Sequence, residues 1–199
     1  MIYFISDLHF GHYNIIKYCN RPFKNTDEMD NQIIDRWNEK VTNADTVYIL
    51  GDVALSKSKI HLVERLNGKK HLILGNHDYH NLSEVENLNC FQTISYMNVI
   101  EIEGKVITLC HFPMYSFIGD YLIYGHIHNN EKDESWIEIR KHSNMFNACV
   151  EINGYIPATF EELKENNKKL FSYKNNEWKW FTIKVLTVLL FVDNDSDDD

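Results

Sequence analysis

The chain has 199 residues, four cysteines and a formal net charge of −9 at neutral pH. One ordinary domain of this length buries roughly 70% of the surface that its unfolded form exposes, so it needs no disulfide framework. The cysteines form no C-x-x-C pair and the first residues show no signal-peptide pattern, so we expect a cytoplasmic protein. The negative charge disfavours unaided binding to nucleic acid, which normally depends on clustered Lys and Arg.

Short apolar runs and amphipathic stretches alternate in the first half of the chain. The runs at residues 2–5, 46–50 and 71–74 are continuously apolar, which is typical of strands covered on both faces. An apolar residue every fourth position predicts a first helix, with Asn25 or Thr26 as its N-cap. A second helix is predicted over residues 60–66 and ends at Asn67-Gly68. The first half is therefore predicted to be βαβαβ.

The second half has a different pattern of elements. Residues 96–102 and 105–109 flank Glu103-Gly104, which predicts a hairpin, and further strands are predicted at 121–124 and 146–152. A helix is predicted over 159–167, where Thr159 and Glu162 form a capping-box pattern. Two sheets packed face to face, with helices outside, would use all these elements.

The pattern changes again after Lys168. We interpret residues 169–192 as a C-terminal extension of strands or as a contact surface that supports a homo-oligomer. Its apolar run at 181–192 is shorter than the roughly 20 residues of a membrane span and contains Lys184, so no membrane insertion is expected. Residues 193–199 are predicted to form a disordered acidic tail without a catalytic role.

Polar residues follow the predicted strands at their carboxyl ends, the edge at which open α/β sheets bind ligands. One such histidine or Gly-Asp pair alone is more often a boundary or turn residue, but their ordered succession predicts a shared site. Carboxylate, amide and imidazole groups suit Mn²⁺, Fe or Zn²⁺, and the D-x-H and H-x-H spacings let one strand end supply two ligands. A centre with two ions roughly 3.5–4 Å apart would use them all. The predicted site collects Asp7, His9, Asp52, Asn76, His77, His111, His126 and His128.

The segments SDLHFGH, LGDV, LGNHD, CHFP and YGHIH resemble, in order, the five signature blocks of the calcineurin-like metallophosphoesterases. GHYNII, NRPF and VEINGY are similar to stretches of the small bacterial and phage members, so the resemblance covers about residues 1–165. It implies an α/β fold, a four-layer αββα sandwich of two mixed sheets flanked by helices. We assign residues 1–168 to this metallophosphoesterase domain.

The resemblance also implies a metal set and a reaction. One ion would be held by Asp7, His9, Asp52 and His128, and the other by Asp52, Asn76, His111 and His126. Mn²⁺ is the expected metal for both positions, with Fe, Zn²⁺, Ni²⁺ and Co²⁺ as alternatives. A hydroxide bridging the two ions would attack phosphorus, and the ions would bind the phosphate oxygens.

Four residues in or near these segments receive further roles. His77 would be the general acid, and Asp78 would orient its ring, with a turn-stabilising aspartate as the alternative. His12 would contact the substrate phosphate or cap the next helix. Arg21 would clamp a phosphate or be an ordinary loop arginine.

A phosphodiesterase acting on a small phosphorylated substrate is the first expectation. The chain lacks the arginine of the GD-x-x-D-R-G block that marks Ser/Thr protein phosphatases, because Gly51-Asp52 continues as VAL. A phosphomonoesterase and a non-catalytic metal-binding scaffold are the alternatives. Nuclease action is not favoured, because no basic groove lined with aromatic residues is evident.

Overall fold

A computed structural model describes residues 1–130, 134–139 and 141–168, without the side chains of residues 134, 135 and 137. The predicted extension at 169–192 and the acidic tail at 193–199 lie outside these ranges. Within them, no helix is long and apolar enough to cross a membrane.

The first sheet has four parallel strands in the order β1-β2-β3-β4. They are β1 (Ile2–Ile5), β2 (Thr46–Ile49), β3 (Lys69–Ile73) and β4 (Phe91–Ser95). The three strands predicted in this half are confirmed, whereas β4 was not predicted, because this half-exposed edge strand has only two strongly apolar residues. The four strands are parallel rather than mixed because helical segments connect them; an antiparallel bridge joins Phe4 to Ala158 at the edge.

The second sheet is mixed, as predicted, in the order β5-β6-β7-β8. Its strands are β5 (Met97–Ile102), β6 (Lys105–Cys110), β7 (Tyr121–Tyr124) and β8 (Met145–Asn147). The hairpin between β5 and β6 is confirmed, and Glu103 and Gly104 both have positive φ, as a tight hairpin turn requires. Strand β8 is shorter than predicted because the chain leaves it to bond with the end of β1, where Val150 N–H donates to Ser6.

Helical segments flank the two sheets. They are α1 (Tyr13–Tyr18), α2 (Thr26–Lys40), a 3₁₀ helix (Lys57–Arg65), α3 (Asn76–His80), α4 (Leu82–Asn87), α5 (Glu134–Ile139) and α6 (residues 160–168). Asn25 caps α2 by accepting from Glu28 N–H at 2.9 Å, and the capping box of Thr159 and Glu162 is present. The second predicted helix is a 3₁₀ helix.

Three buried apolar clusters separate four layers. Alternate residues of β1 enter different clusters: Ile5 packs with Trp37 of α2, whereas Phe4 packs with Leu109 of β6. The third cluster lies on the far face of the second sheet and contains Trp136 of α5. The layers therefore follow the order helix, sheet, sheet, helix, and the predicted four-layer αββα sandwich is confirmed.

Candidate metal centre

The ends of five strands bring the predicted metal ligands together. Asp7 and His9 follow β1, Asp52 follows β2, Asn76 follows β3, His111 follows β6, and His126 and His128 follow β7. Because the parallel strands of each sheet end on one side, the intervening turns converge on one rim of the sandwich.

Two carboxylate oxygens lie at the centre of this group. Asp7 Oδ1 is 3.7 Å from His9 Nε2 and 3.5 Å from His128 Nε2. Asp52 Oδ2 is 3.6 Å from both His9 Nε2 and His111 Nε2. These distances exceed those of hydrogen bonds, but atoms that each lie about 2 Å from one metal ion are themselves about 3–4 Å apart.

The donor atoms fit a cation because two of them have no other partner. Asp7 Oδ1 and His9 Nε2 are buried and take part in no hydrogen bond within the described residues. A buried polar atom without a partner is costly, and native proteins seldom leave one unless an ion or water satisfies it. A divalent cation between these atoms would remove that cost.

A second group of ligand atoms adjoins the first at Asp52. His111 Nε2 lies 3.2 Å from Asn76 Oδ1, and ligand atoms of Asp52, His111 and His126 lie within 4.8 Å of one another. The structure thus brings together both predicted ligand sets, with Asp52 common to them.

Neighbouring acceptors determine which nitrogen of two imidazoles faces the cluster. His111 Nδ1 contacts the Leu50 carbonyl at 2.7 Å, and His128 Nδ1 contacts Glu151 Oε1 at 3.1 Å. In both rings Nε2 is left for a metal, which is the usual arrangement of metal-binding histidines.

The backbone at the ligands is held in an uncommon conformation. Positive φ values occur at Asp7 (60°), His9 (54°), Asp52 (56°), His126 (72°) and His128 (49°). Non-glycine residues seldom adopt this region, at a cost of about 1–3 kcal/mol each, and such residues cluster at functional sites. The surrounding fold therefore maintains the arrangement against local strain.

Two glycines leave space for the carboxylates. A Cβ atom at Gly75 would lie 2.2 Å from Asp52 Oδ1, and one at Gly125 would lie 2.6 Å from Asp7 Oδ2. Both glycines immediately precede a predicted ligand. Steric hindrance therefore explains why glycine, and no larger residue, stands in the Gly-Asn and Gly-His pairs of the signature blocks.

Burial and neighbouring charges shift the pKa values of three residues in the cluster. Burial, reinforced by the charges of Asp7 and Asp78, raises the pKa of Asp52 to about 7. Burial opposes charge on Asp7 as well, but His128 and His9 hold the pKa of Asp7 well below its usual value. The negative charge of Asp7 and contacts with Cys19 and Glu151 outweigh burial and raise the pKa of His128 to about 11. A bound cation would take over the role of the His128 proton.

His77 lies at the rim of the cluster, whereas Asp78 is turned away from it. His77 Nε2 is 3.8 Å from Asp52 Oδ2, and His77 N–H donates to Asp52 Oδ1 at 2.9 Å. The buried Asp78 carboxylate accepts backbone N–H bonds from Asp52, Val53 and Gly75. These contacts support the turn-stabilising alternative for Asp78, because its oxygens bond to the backbone and not to the His77 ring.

His12 faces the cluster, and Arg21 does not. His12 Nδ1 lies 3.3 Å from His9 Nδ1, and its side chain makes no capping bond to α1. The Arg21 side chain is fully buried and donates to the carbonyl groups of Asp7 and Leu8 and to Glu151. The prediction that Arg21 clamps a substrate phosphate is therefore wrong, since its guanidinium is already bonded inside the protein.

Two residues near the cluster received no role from the sequence. Cys149 Sγ donates to Asp7 Oδ2 at 3.0 Å, and Glu151 contacts the His128 ring. Burial and the negative charge of Asp7 keep the pKa of Cys149 well above its usual value, so the group remains a thiol. Glu151 directly follows the apolar run at 148–150, and this position of an acidic residue at the end of an apolar run could have suggested a role in the site.

Comparisons with known proteins agree with the fold. The profile of the calcineurin-like phosphoesterase family matches residues 1–170. An uncharacterized protein of Methanocaldococcus jannaschii is 40% identical over 167 residues, covering 80% of this chain and 87% of that protein. The Gene 66 protein of Mycobacterium phage D29 is 27% identical over 163 residues, covering 64% of this chain and 78% of the phage protein.

A solved structure shares the same architecture. The crystal structure of a protein of unknown function from Aquifex aeolicus has 31% sequence identity and a TM-score of 0.65. The match covers 83% of this chain and 98% of the Aquifex chain. Because the family profile spans most of the chain and matches the segments that carry the clustered ligands, the protein belongs to the calcineurin-like phosphoesterase family.

Proposed function

We propose that the protein is a metal-dependent hydrolase of small phosphate esters, with phosphodiesters as its preferred substrates and two divalent cations, Mn²⁺ foremost, as its cofactors. One observation supports this most strongly. Asp7 Oδ1 and Asp52 Oδ2 are surrounded by imidazole Nε2 atoms at 3.5–3.8 Å, and Asp7 Oδ1 and His9 Nε2 have no other partner. Carboxylate and imidazole groups without competing hydrogen bonds form a typical site for such ions.

Each cation would be held by one of two ligand sets that share Asp52. The first set is Asp7, His9, Asp52 and His128, and the second is Asp52, Asn76, His111 and His126. When bound, the cations would supply positive charge for the phosphate oxygens and an activated water as the nucleophile. Asp52 stands between the sets, so its carboxylate would stabilise both positions.

His77 is our proposed proton donor to the leaving alkoxide. Its ring is partly open to solvent, with 31% of the side chain exposed, and its backbone N–H is fixed by Asp52. A ring held at the rim by its own backbone can reach the leaving group of an ester bound across the cluster. In this scheme Asp78 is a positioning residue, because it bonds to the backbone of both turns that carry His77 and Asp52.

The charge at the rim favours phosphodiesters over monoesters. Among the described residues, Arg21 is buried, Arg36 bonds to Gly154 and Arg65 bonds to Asn31, so none of these arginines faces the cluster. Burial lowers the pKa of His12 to about 4, so this ring adds no positive charge at neutral pH. A diester brings one negative charge and a monoester up to two, so the diester requires less additional positive charge.

A panel of phosphate mono- and diesters, assayed with added Mn²⁺, tests the proposal. Bis-p-nitrophenyl phosphate should be hydrolysed faster than p-nitrophenyl phosphate, and a chelator or the Asp52→Asn variant should abolish both activities. Faster hydrolysis of the monoester would instead support the phosphomonoesterase. Binding of two cations without hydrolysis of any ester would support the metal-binding scaffold.

A further inference from the structure

A buried ion pair lies directly behind the metal ligands. Arg21 Nη2 is 2.7 Å and Arg21 Nε is 2.9 Å from Glu151 Oε1, although the residues are 130 positions apart in the sequence. The side chains are 0% and 2% exposed. A buried ion pair often adds little net stability compared with an apolar replacement, so stability alone is a weak reason for this one.

Arg21 also holds the turn that carries two of the ligands. Its Nη2 donates to the Asp7 carbonyl at 2.8 Å and its Nη1 donates to the Leu8 carbonyl at 2.9 Å. Asp7 and His9 have positive φ, so this turn is strained and needs contacts that prevent it from relaxing. The planar guanidinium reaches two carbonyls and a carboxylate at once, which the single ammonium group of a lysine cannot reproduce in the same geometry.

Glu151 connects Arg21 to a third predicted ligand, His128. The oxygen that accepts from Arg21, Oε1, also contacts His128 Nδ1 at 3.1 Å. This contact leaves His128 Nε2 at 3.5 Å from Asp7 Oδ1, on the side of the cluster. One guanidinium therefore links the turn after β1 to the turn after β7.

We propose that Arg21 and Glu151 are positioning residues for the cation held by Asp7, His9 and His128. Arg21 holds the strained turn at residues 7–9 and compensates the charge of Glu151, and Glu151 fixes the orientation of the His128 ring. This inference rests on the proposed function, since it assumes that a cation binds there. It also explains why a buried arginine lies near a phosphoesterase site without access to substrate.

The conservative variants Arg21→Lys and Glu151→Gln test the proposal. Titration with Mn²⁺ should show two binding sites. The affinity of the site formed by Asp7, His9 and His128 should fall about 10- to 100-fold, because contacts behind a metal ligand typically affect affinity by that factor. The affinity of the other site should be unchanged. Hydrolysis should recover at saturating Mn²⁺. In metal-free Arg21→Lys, hydrogen exchange at the amides of His9 and Phe10, which donate to Asp52 and Val53, should accelerate.

Matched controls separate this role from general charge loss. Arg36→Lys changes an arginine that bonds to Gly154 away from the cluster, and Glu162→Gln changes a glutamate paired with Lys40; neither should alter Mn²⁺ affinity. If the single variants do not fold, the double variant R21M/E151M removes both charges together and leaves neither one buried alone. It should fold and still show the weakened Mn²⁺ site.

Two results would overturn the inference. The first is a folded variant with reduced thermal stability but unchanged Mn²⁺ affinity at both sites, which would make the pair a structural contact only. The second is unchanged amide exchange at residues 9 and 10 in metal-free Arg21→Lys. If the unsubstituted protein binds no Mn²⁺, the proposed function fails, and the exchange measurement still decides whether Arg21 holds the turn.

Discussion

The two sides of the cluster of candidate metal ligands differ in how closely the protein surrounds them. The inner half, which consists of Asp7, His9 and His128, is almost closed: the first two residues are 0% and 1% exposed. The outer half consists of Asn76, His77 and His126, which are half-buried or exposed. Asp52 and His111 lie between the halves and are buried.

The contacts behind the ligands differ in the same way. Each acidic or basic group of the inner half has a described neighbour that fixes it: Cys149 for Asp7, His12 for His9 and Glu151 for His128. In the outer half, by contrast, the His126 ring packs against the apolar ring of Phe112, at a centroid distance of 4.7 Å. The inner half therefore presents its candidate ligand atoms in a fixed geometry, whereas the outer half is more open to solvent.

Asp52→Asn would change both halves and should have the largest effect. The amide keeps an oxygen for His77 N–H but removes the charge shared by the two ligand sets. We expect hydrolysis to fall by about 10³-fold or more, because metal stabilisation of a transition state contributes several kcal/mol. Asp27→Asn, on the exposed side of α2, is the matched control and should keep full activity. Retention of both Mn²⁺ sites and of hydrolysis in Asp52→Asn would contradict the shared role.

His77→Ala would remove a side chain of the outer half. We expect it to lower hydrolysis of alkyl esters, which have poor leaving groups, by about 10²-fold, and that of p-nitrophenyl esters much less. His80→Ala is the control, because His80 is on the same helix and exposed. Equal losses on both ester types would show that His77 does not donate the proton. A lost Mn²⁺ site would show that it acts as a ligand instead.

The sequence predicted which side chains cluster at the rim better than it predicted the edges of the fold. Each predicted ligand lies within a few residues of the end of an apolar strand, so the signal is local. Strand β4 was missed because an edge strand with exposed Gln92 and Thr93 has no continuous apolar pattern. The 3₁₀ helix was predicted as an ordinary helix, because an apolar stripe does not distinguish the two conformations.

The contacts behind the ligands could not be predicted in the same way. Arg21 and Glu151 are 130 positions apart, and only the folded chain shows that they bond to each other. Asp78 is next to His77 in the sequence, which suggested a contact between the side chains. In the helix α3, however, the Asp78 carboxylate turns back to the Gly75 N–H, so adjacency in the sequence was misleading.

Gly75→Ala would test the space on which the shared carboxylate depends. The new Cβ would lie 2.2 Å from Asp52 Oδ1 and 2.7 Å from Asp52 N, so Asp52 would have to move. We expect a loss of about 2 kcal/mol in unfolding free energy, together with weaker Mn²⁺ binding. Gly104→Ala has a strained positive φ but no atom within 4 Å, so it should lower stability by about 1 kcal/mol and leave Mn²⁺ affinity unchanged. Equal Mn²⁺ affinity in both variants would contradict the steric argument.

Asn25→Ala should have the smallest effect, and it separates global stability from the properties of either half. Asn25 caps α2 through Glu28 N–H, at the exposed end of a helix whose Trp37 is fully buried. Loss of this cap should lower the unfolding free energy by about 1 kcal/mol and the midpoint of thermal unfolding by about 2–4 °C. Calorimetric titration should show both Mn²⁺ affinities unchanged, because the cap contacts no ligand. A parallel weakening of both sites would mean that overall stability, and not the local contacts of the inner half, sets the affinity for the cation.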